Sequence, residues 1–487
     1  MNLSLLTQFI NQRYDEDLIP RLVDYVRIPA KSPMFDPDWE QHGYLDQVVQ
    51  QAHDWAQAQA LPGLQLEILR MPGRTPCLFF QMPASPGLED RDTVLFYGHL
   101  DKQPEMSGWR ADLGPWEPKI DQDKLYGRGA ADDGYACYAA LTLLAALQQQ
   151  GCAHPRCVGL IETSEESGSP DLRDYLDILA SRLGKVGLVI GLDSGCGNYE
   201  QLWVTTSLRG LCGGTLTVDV LEEGVHSGMA SGLVPSSFRI ARQLLDRLDD
   251  SRTGEVKLPG LHAAIPAERL EQAEAAGRIL GDQVWKQFPW VGCSHGEGAH
   301  LRCQPTTTDP AEGILNRTWR PALSITGAAG LPAIEEAGNV LRPKTAFKLS
   351  MRLPPGIDAQ QASQQIQAVL EADPPYQSRV RFEAEAAADG WNAPPTAPWL
   401  LEALDQASRA VFKQPAAWIG EGGTIPFMAM LGERFPEAQF LITGVLGPQS
   451  NAHGPNEFLH LPYVKQLTAA VALVLAKIAQ PAPGAKT

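Results

Sequence analysis

Seven residues of metal-binding type stand where hydrophobic runs give way to Gly- or Ser-containing loops. They are His99 and Asp101 in LFYGHLD, Asp132 in YGRGAADDG, Glu165 and Glu166 in IETSEESGS, Asp193 in VIGLDSG, and His453 in GPQSNAHGPNE. Two imidazoles and several carboxylates without a thiolate form the donor set of a hydrolytic zinc, manganese or cobalt centre. Such a centre makes hydroxide at neutral pH.

Spacing gives each residue a chemical use, and each also has a structural one. His99 and Asp101 are two apart at a strand end and share a face, so Asp101 can hold the ring nitrogen that His99 does not give to a metal. Asp132 and Asp133 stand at the start of a helix, where an acidic pair also serves as an N-cap. A carboxylate there can bridge two cations, but only one of the pair can do so. Glu165 and Glu166 would point opposite ways in extended chain, one to ligate and one to address a metal-bound water; as plain loop residues they would be solvated. Asp193 could cap a turn and His453 could sit on the surface. Their joint placement carries the weight, because open α/β sheets bind ligands beyond the carboxyl ends of their strands.

The elements that must position these residues are legible. TVLFYGHLD, CVGLIET and VGLVIGLD are short apolar runs, the pattern of strands buried on both faces. DGYACYAALTLLAALQQQG reads as a helix of about five turns with Gly151 at its C-terminal end. PDLRDYLDILASRLG, the strand QFLITGVLG and the helix YVKQLTAAVALVLAKIAQ complete a first domain. Between them, SLRGLCGGTLTVDVLEE, PSSFRIARQLLDRLDD, KTAFKLSMRLPP, DAQQASQQIQAVLEA and SRVRFEAEA alternate strand and helix, a small α+β layer. We expect a discontinuous catalytic domain, 1–208 with 389–487, and an inserted domain, 209–388, that leaves the first sheet and returns as a lid. The stretch from about 252 to 338 reads as helical and then Gly-, Pro- and Cys-containing, with no clear place in either domain.

A chain of 487 residues exceeds a single core. A net charge of −17 with no Lys/Arg cluster argues against nucleic acid and anionic membranes as partners. The N-terminus reads as an amphipathic helix rather than a signal peptide, and no apolar run reaches the length of a membrane span. The eight cysteines form no CxxC, as expected of free thiols in a reducing compartment. A cytoplasmic enzyme is the simplest inference.

Several segments in order, including RLVDYVRIPAKSPMFDPDW, GHLDKQPEMSGW, LYGRGAADDG, ETSEESGS, HSGMASGLVP, NVLRPKTAFKLSMRLPP, EGGTIP and GPQSNAHGPNE, resemble the M20 family of metallopeptidases. That group contains dipeptidases, glutamate carboxypeptidases and aminoacylases. The resemblance implies an α/β fold in which a mixed-sheet zinc-peptidase catalytic domain carries an inserted α+β, ferredoxin-like lid and dimerisation domain. It implies two divalent ions per subunit, Zn2+ by default with Mn2+ or Co2+ as options. One would be held by His99 and Asp193, the other by Glu166 and His453, with Asp132 bridging and the peptide after it cis. Glu165 would be the general base, supported by Asp101. His226 would reach across a homodimer to the partner's substrate carbonyl, and Arg352, Asn339, Gly422, Gly423 and Thr424 would bind substrate. Gly134 stands where many relatives have Lys, and Gly420 where dipeptidase-like members often have Arg.

The expected reaction is hydrolysis of an amide bond in a dipeptide or short peptide with a free carboxylate. An N-acyl amino acid deacylase would use the same core with another pocket. A non-catalytic metal-dependent binding protein would normally have lost Glu165 or a ligand, and here all are present.

Overall fold

The apolar runs become the strands Thr93–His99, Cys157–Glu162 and Val186–Gly191, and every residue of the first two is buried. In the computed structural model, which describes residues 1–291 and 303–480, the outer two flank Thr93–His99 in parallel. Gln439–Ile442 adds a fourth parallel strand. The other edge runs antiparallel through Cys77–Met82 and Gln65–Leu69, giving a mixed six-stranded sheet. Parallel register puts the carboxyl ends of three adjacent strands on one edge of the sheet. His99 ends its strand opposite Glu162, Glu165 follows three residues after Glu162, and Asp193 lies two beyond Gly191.

Helices cover the sheet. Ala136–Gln149 is buried from Ala136 through Leu147, and Leu461–Ile478 packs against it. The first of these starts at Ala136 rather than at the acidic pair, since residues 131–135 form turns; the Asp132–Asp133 peptide is cis. Gly151, with φ +63°, lies just past its C-cap as expected. Leu461–Ile478 corrects the expectation about apolar runs. It is long and apolar enough to cross a membrane, but 67% of it is buried inside the protein, so it fits a core helix of the first unit.

The chain forms two compact units, Met1–Thr205 with Ala393–Ile419 and Met430–Thr487, and Thr206–Asn392 with Gly420–Ala429. No shift in composition marks the last of these segments, which brings the Gly422–Thr424 loop into the second unit. That unit is built on an antiparallel sheet in the order Ala322–Ala329, Lys344–Leu353, Gly210–Asp219, Arg379–Ala384. With Ser237–Leu245 following the first strand in sequence and Ala359–Glu371 preceding the last, the chain traces β-α-β-β-α-β, the ferredoxin-like pattern. Leu216, Val218, Ile240, Leu244, Phe347, Leu349 and Ile366 form its core. The helix Ala267–Leu280 lies in the part of 252–338 that reads as helical, whereas the helix Pro310–Thr318 and the edge strand Ala322–Ala329 after it had no assignment.

None of the described cysteines is in a disulfide; Cys293 and the PAPGAKT tail lie outside the described residues.

Candidate metal centre

Asp132 is the hub of the site. Its Oδ1 lies 3.3 Å from His99 Nε2 and its Oδ2 lies 2.9 Å from His453 Nε2. His99 Nε2 is also 3.8 Å from Asp193 Oδ2 and 3.9 Å from Glu165 Oε2, and His453 Nε2 is 3.3 Å from Glu166 Oε2. The first unit therefore gathers His99, Asp132, Glu165, Glu166, Asp193 and His453, residues drawn from 355 positions of sequence. Two sets, His99 with Asp132 and Glu166, and His99 with Glu165 and Asp193, each bring ligand atoms within 4.8 Å of one another.

The local chain explains the aim of each side chain. Glu165 and Glu166 occupy a short 3-10 turn rather than extended chain, so they diverge because the turn fans them toward different imidazoles. Asp101 holds this turn by accepting hydrogen bonds from Glu165 N at 3.2 Å and Glu166 N at 3.0 Å. The same carboxylate lies 3.4 Å from His99 Nδ1, whose nearer partner is the Asp101 carbonyl at 3.1 Å. Asp101 thus braces two neighbours, where spacing indicated one. Of the acidic pair, Asp132 faces the imidazoles, and Asp133 turns away to accept from His99 N at 3.2 Å. Gly98 is required here, because a Cβ would meet Asp133 Oδ2 at 2.8 Å.

Beneath the turn, Glu162 was missed because it reads as one polar residue ending an apolar strand. Its carboxyl accepts from Tyr97 Oη, Ser164 Oγ and Ser169 Oγ at 2.5, 2.9 and 2.8 Å. Burial pushes it up to about 7 against those bonds.

The charge balance says what the cluster can hold. Burial and the charge of Asp132 push Glu166 up to about 8, and burial, with Asp132 and Asp101 beside it, pushes Asp193 up to about 7. Glu165 is raised well above the carboxylate range by burial and by Asp193. Burial raises Asp132 too, but hydrogen bonds to His453 and His99 reverse this and hold it far below that range. Among the described residues no lysine or arginine pairs with Asp132, Glu165, Glu166 or Asp193. The nearby Lys102 is buried and spends its donors on the carbonyls of Tyr25 and Ile28. Buried like charges without a counter-charge are unfavourable, and oxygen and imidazole donors so placed fit divalent cations.

The remaining expected residues lie in the second unit, in two groups. His226 pairs with Val340 in a two-residue ladder, and Ser227 N donates to the Asn339 carbonyl at 2.9 Å. The exposed His226 ring accepts from Gly228 N through Nδ1 at 3.1 Å, which in the neutral ring places the proton on Nε2. Arg352 Nη1 donates to Thr424 Oγ1 at 2.8 Å. Gly422 carries its carbonyl to Arg209 Nε at 3.1 Å, and a Cβ there would meet the Arg317 carbonyl at 2.8 Å; Gly423 has no such constraint. Burial, with the charges of Arg352 and Arg317, lowers Arg209 to about 10. Arg209 and Arg317 had no sequence signal, since one is a lone arginine at the break between the strands Trp203–Leu208 and Gly210–Asp219 and the other a lone arginine in a helix. Among the described residues none of the three guanidiniums forms an ion pair with a carboxylate.

Both departures from the family pattern have a packing cause. A Cβ on Gly134 would meet Tyr25 Cε1 at 2.1 Å, and one on Gly420 would meet Ser207 Oγ at 2.4 Å and Thr318 Cβ at 3.0 Å.

Residues 95–479 match the model of Peptidase family M20/M25/M40. A Cysteinylglycine-S-conjugate dipeptidase of Corynebacterium striatum is 25% identical over 76% of this chain and 77% of its own. The Cys-Gly metallodipeptidase DUG1 of Saccharomyces cerevisiae is 27% identical over 76% of each. A solved structure of human carnosine dipeptidase 1 covers 98% of this chain and 99% of that one at 23% identity, with a TM-score of 0.73.

Proposed function

Because the chain belongs to peptidase family M20/M25/M40, we propose that it is a metal-dependent dipeptidase whose substrates carry a free carboxylate. The observation that carries this reading is Asp132, with one carboxylate oxygen turned to each imidazole inside a ring of buried acids. His99 and Asp193 would hold one ion and Glu166 and His453 the other, with Asp132 shared. Two ions are proposed per subunit, zinc by default, with manganese or cobalt suited to the same donors. Bound there, they supply Lewis acidity that lowers the pKa of water and polarises a carbonyl.

The protein's own groups do the rest. Glu165 receives the proton of the attacking water at its carboxylate and passes it to the leaving amine. Asp101 keeps the His99 ring and the glutamate turn in place. His226, in a partner subunit, donates from Nε2 to the carbonyl oxygen as charge develops. Arg352 with Thr424, backed by Arg209, binds the substrate carboxylate, and Asn339 and the Gly422–Gly423 backbone line the peptide.

A homodimer through the second unit is supported by its edge strand Ala322–Ala329 and by Met229, Leu233 and Ile334, exposed at 84, 85 and 88%. Open edges and exposed large apolar side chains are features that interfaces use. Free thiols and the acidic charge suit a cytoplasmic enzyme.

Dipeptides assayed beside N-acetylated amino acids test the substrate. Dipeptides with a free C-terminus should be cleaved, and amidating that terminus should reduce kcat/KM by roughly 100-fold, the order of one lost charged contact. Faster cleavage of the N-acetylated amino acids would favour a deacylase instead. Names among the relatives, including Beta-Ala-His dipeptidase of Mus musculus, 26% identical over 78% of this chain, favour dipeptides.

A further inference from the structure

Among the described residues, Arg128 and Glu457 form the arginine–carboxylate pair most fully removed from solvent, with side chains 1% and 0% exposed and Nη1 2.7 Å from Oε2. Neither side chain belongs to the ligand set. Arg128 lies four residues before Asp132, and Glu457 lies four after His453. The other arm of the guanidinium reaches across, Nη2 donating to the His453 carbonyl at 3.1 Å and to the Gly454 carbonyl at 2.8 Å. Glu457 answers by accepting from Gly129 N through Oε1 at 2.9 Å, while its carbonyl accepts from Gly127 N at 3.0 Å. The two ligand-bearing loops are therefore bound to each other from both sides.

The His453 loop needs such a hold. Gln449, Asn451, His453 and Asn456 all have left-handed backbones, with φ between 55° and 65°, conformations that L-residues with side chains disfavour. The neighbouring ladder of Phe458–His460 with Lys124–Tyr126 fixes only the chain beyond Glu457. The His453 side chain is 55% exposed, whereas His99 is wholly buried at the end of a central strand. Packing thus sets the His99 and Asp193 side. The His453 loop is tied by Gly454 N to the Asn451 carbonyl, Phe458 N to the Ser450 carbonyl and Arg110 N to Asn456 Oδ1, and the fork of Arg128 is what holds the carbonyl of His453 itself.

We propose that the Arg128–Glu457 pair is a positioning device for His453, so that the ion held by Glu166 and His453 depends on it and the ion held by His99 and Asp193 does not. This rests on the two-ion reading above. A buried pair replaced as a unit by apolar residues of similar volume often leaves stability unchanged, which makes the role separable from folding. The double variant Arg128→Met/Glu457→Met keeps the volume and removes the side-chain hydrogen bonds by which the pair joins the two loops. Arg128→Lys keeps the charge opposite Glu457 but lacks the fork.

Metal-free wild type, both variants and His453→Ala would be titrated with Zn2+ against a chromophoric chelator, with thermal unfolding of each metal-free chain as the control for folding. Wild type should take up two ions. Both clamp variants should keep one wild-type affinity and bind the second ion roughly 10- to 100-fold more weakly, the usual effect of removing a group that orients a ligand; His453→Ala should match or exceed that loss. Unchanged affinity for both ions in a folded clamp variant would overturn the proposal, as would equal weakening of both sites. Fewer than two ions in the wild type would instead remove the two-ion reading, and this inference with it.

Discussion

Glu165→Ala should bind both metal ions as tightly as the wild type and lose kcat by roughly 10³- to 10⁴-fold, the upper part of the range for a positioned general acid–base group. That is about 4 to 5 kcal/mol of transition-state stabilisation. The carboxyl lies 3.9 Å from His99 Nε2, on the side of the cluster shared with Asp193. It is held there by a backbone N–H bonded to Asp101. Truncation removes the proton carrier and leaves the other acids in place. KM should change little, because Glu165 is not proposed to bind substrate. Turnover within a few-fold of wild type, with metal content confirmed, would reject Glu165 as the base.

Mixing two inactive chains should restore activity if His226 serves the neighbouring subunit. His226→Ala and Glu165→Ala, refolded together in equal amounts, would form mixed dimers in which one site joins an intact Glu165 to an intact His226. Random pairing in a two-fold dimer predicts about a quarter of wild-type activity, against nearly none for either chain alone. The geometry behind this is the Nδ1 contact with Gly228 N, which fixes the ring as an Nε2 donor. It is also the ladder with Val340, which carries His226 in the same unit as the exposed edge strand. Absence of rescue, with mixed dimers demonstrated, would place His226 in its own subunit's site or in no site.

Much of the centre was legible because strand ends are legible. LFYGH, CVGLIE and VGLVIG read as strands buried on both faces, and the parallel pairing they take in the fold delivers His99, the Glu165 turn and Asp193 to a common edge. His453 was a weak candidate alone, since a histidine in a Gly-, Asn- and Pro-rich loop has no periodicity to point it anywhere, and its pairing with Glu166 came from the resemblance. What stayed hidden depends on partners distant in the chain. Glu457 and Arg128 meet across 329 positions, and Glu162 is understood only with Tyr97 on the adjacent strand. Asp101 was read as a histidine partner, but its contacts to the Glu165 and Glu166 amides arise from a 3-10 turn that the sequence does not announce. The glycines at 134 and 420 look like altered specificity in a list of residues. In the folded chain Tyr25 and Thr318 take the space a side chain would need.

The proposed reaction requires the clustered donors to hold a pair of divalent ions. Anomalous diffraction from crystals grown with Zn2+, collected at the zinc edge, would locate them. Two peaks are predicted, each about 2.0–2.2 Å from its ligands: one at His99 Nε2 and Asp193, the other at Glu166 and His453 Nε2, with Asp132 reaching both. A single peak, or peaks away from these five side chains, would contradict the two-ion reading.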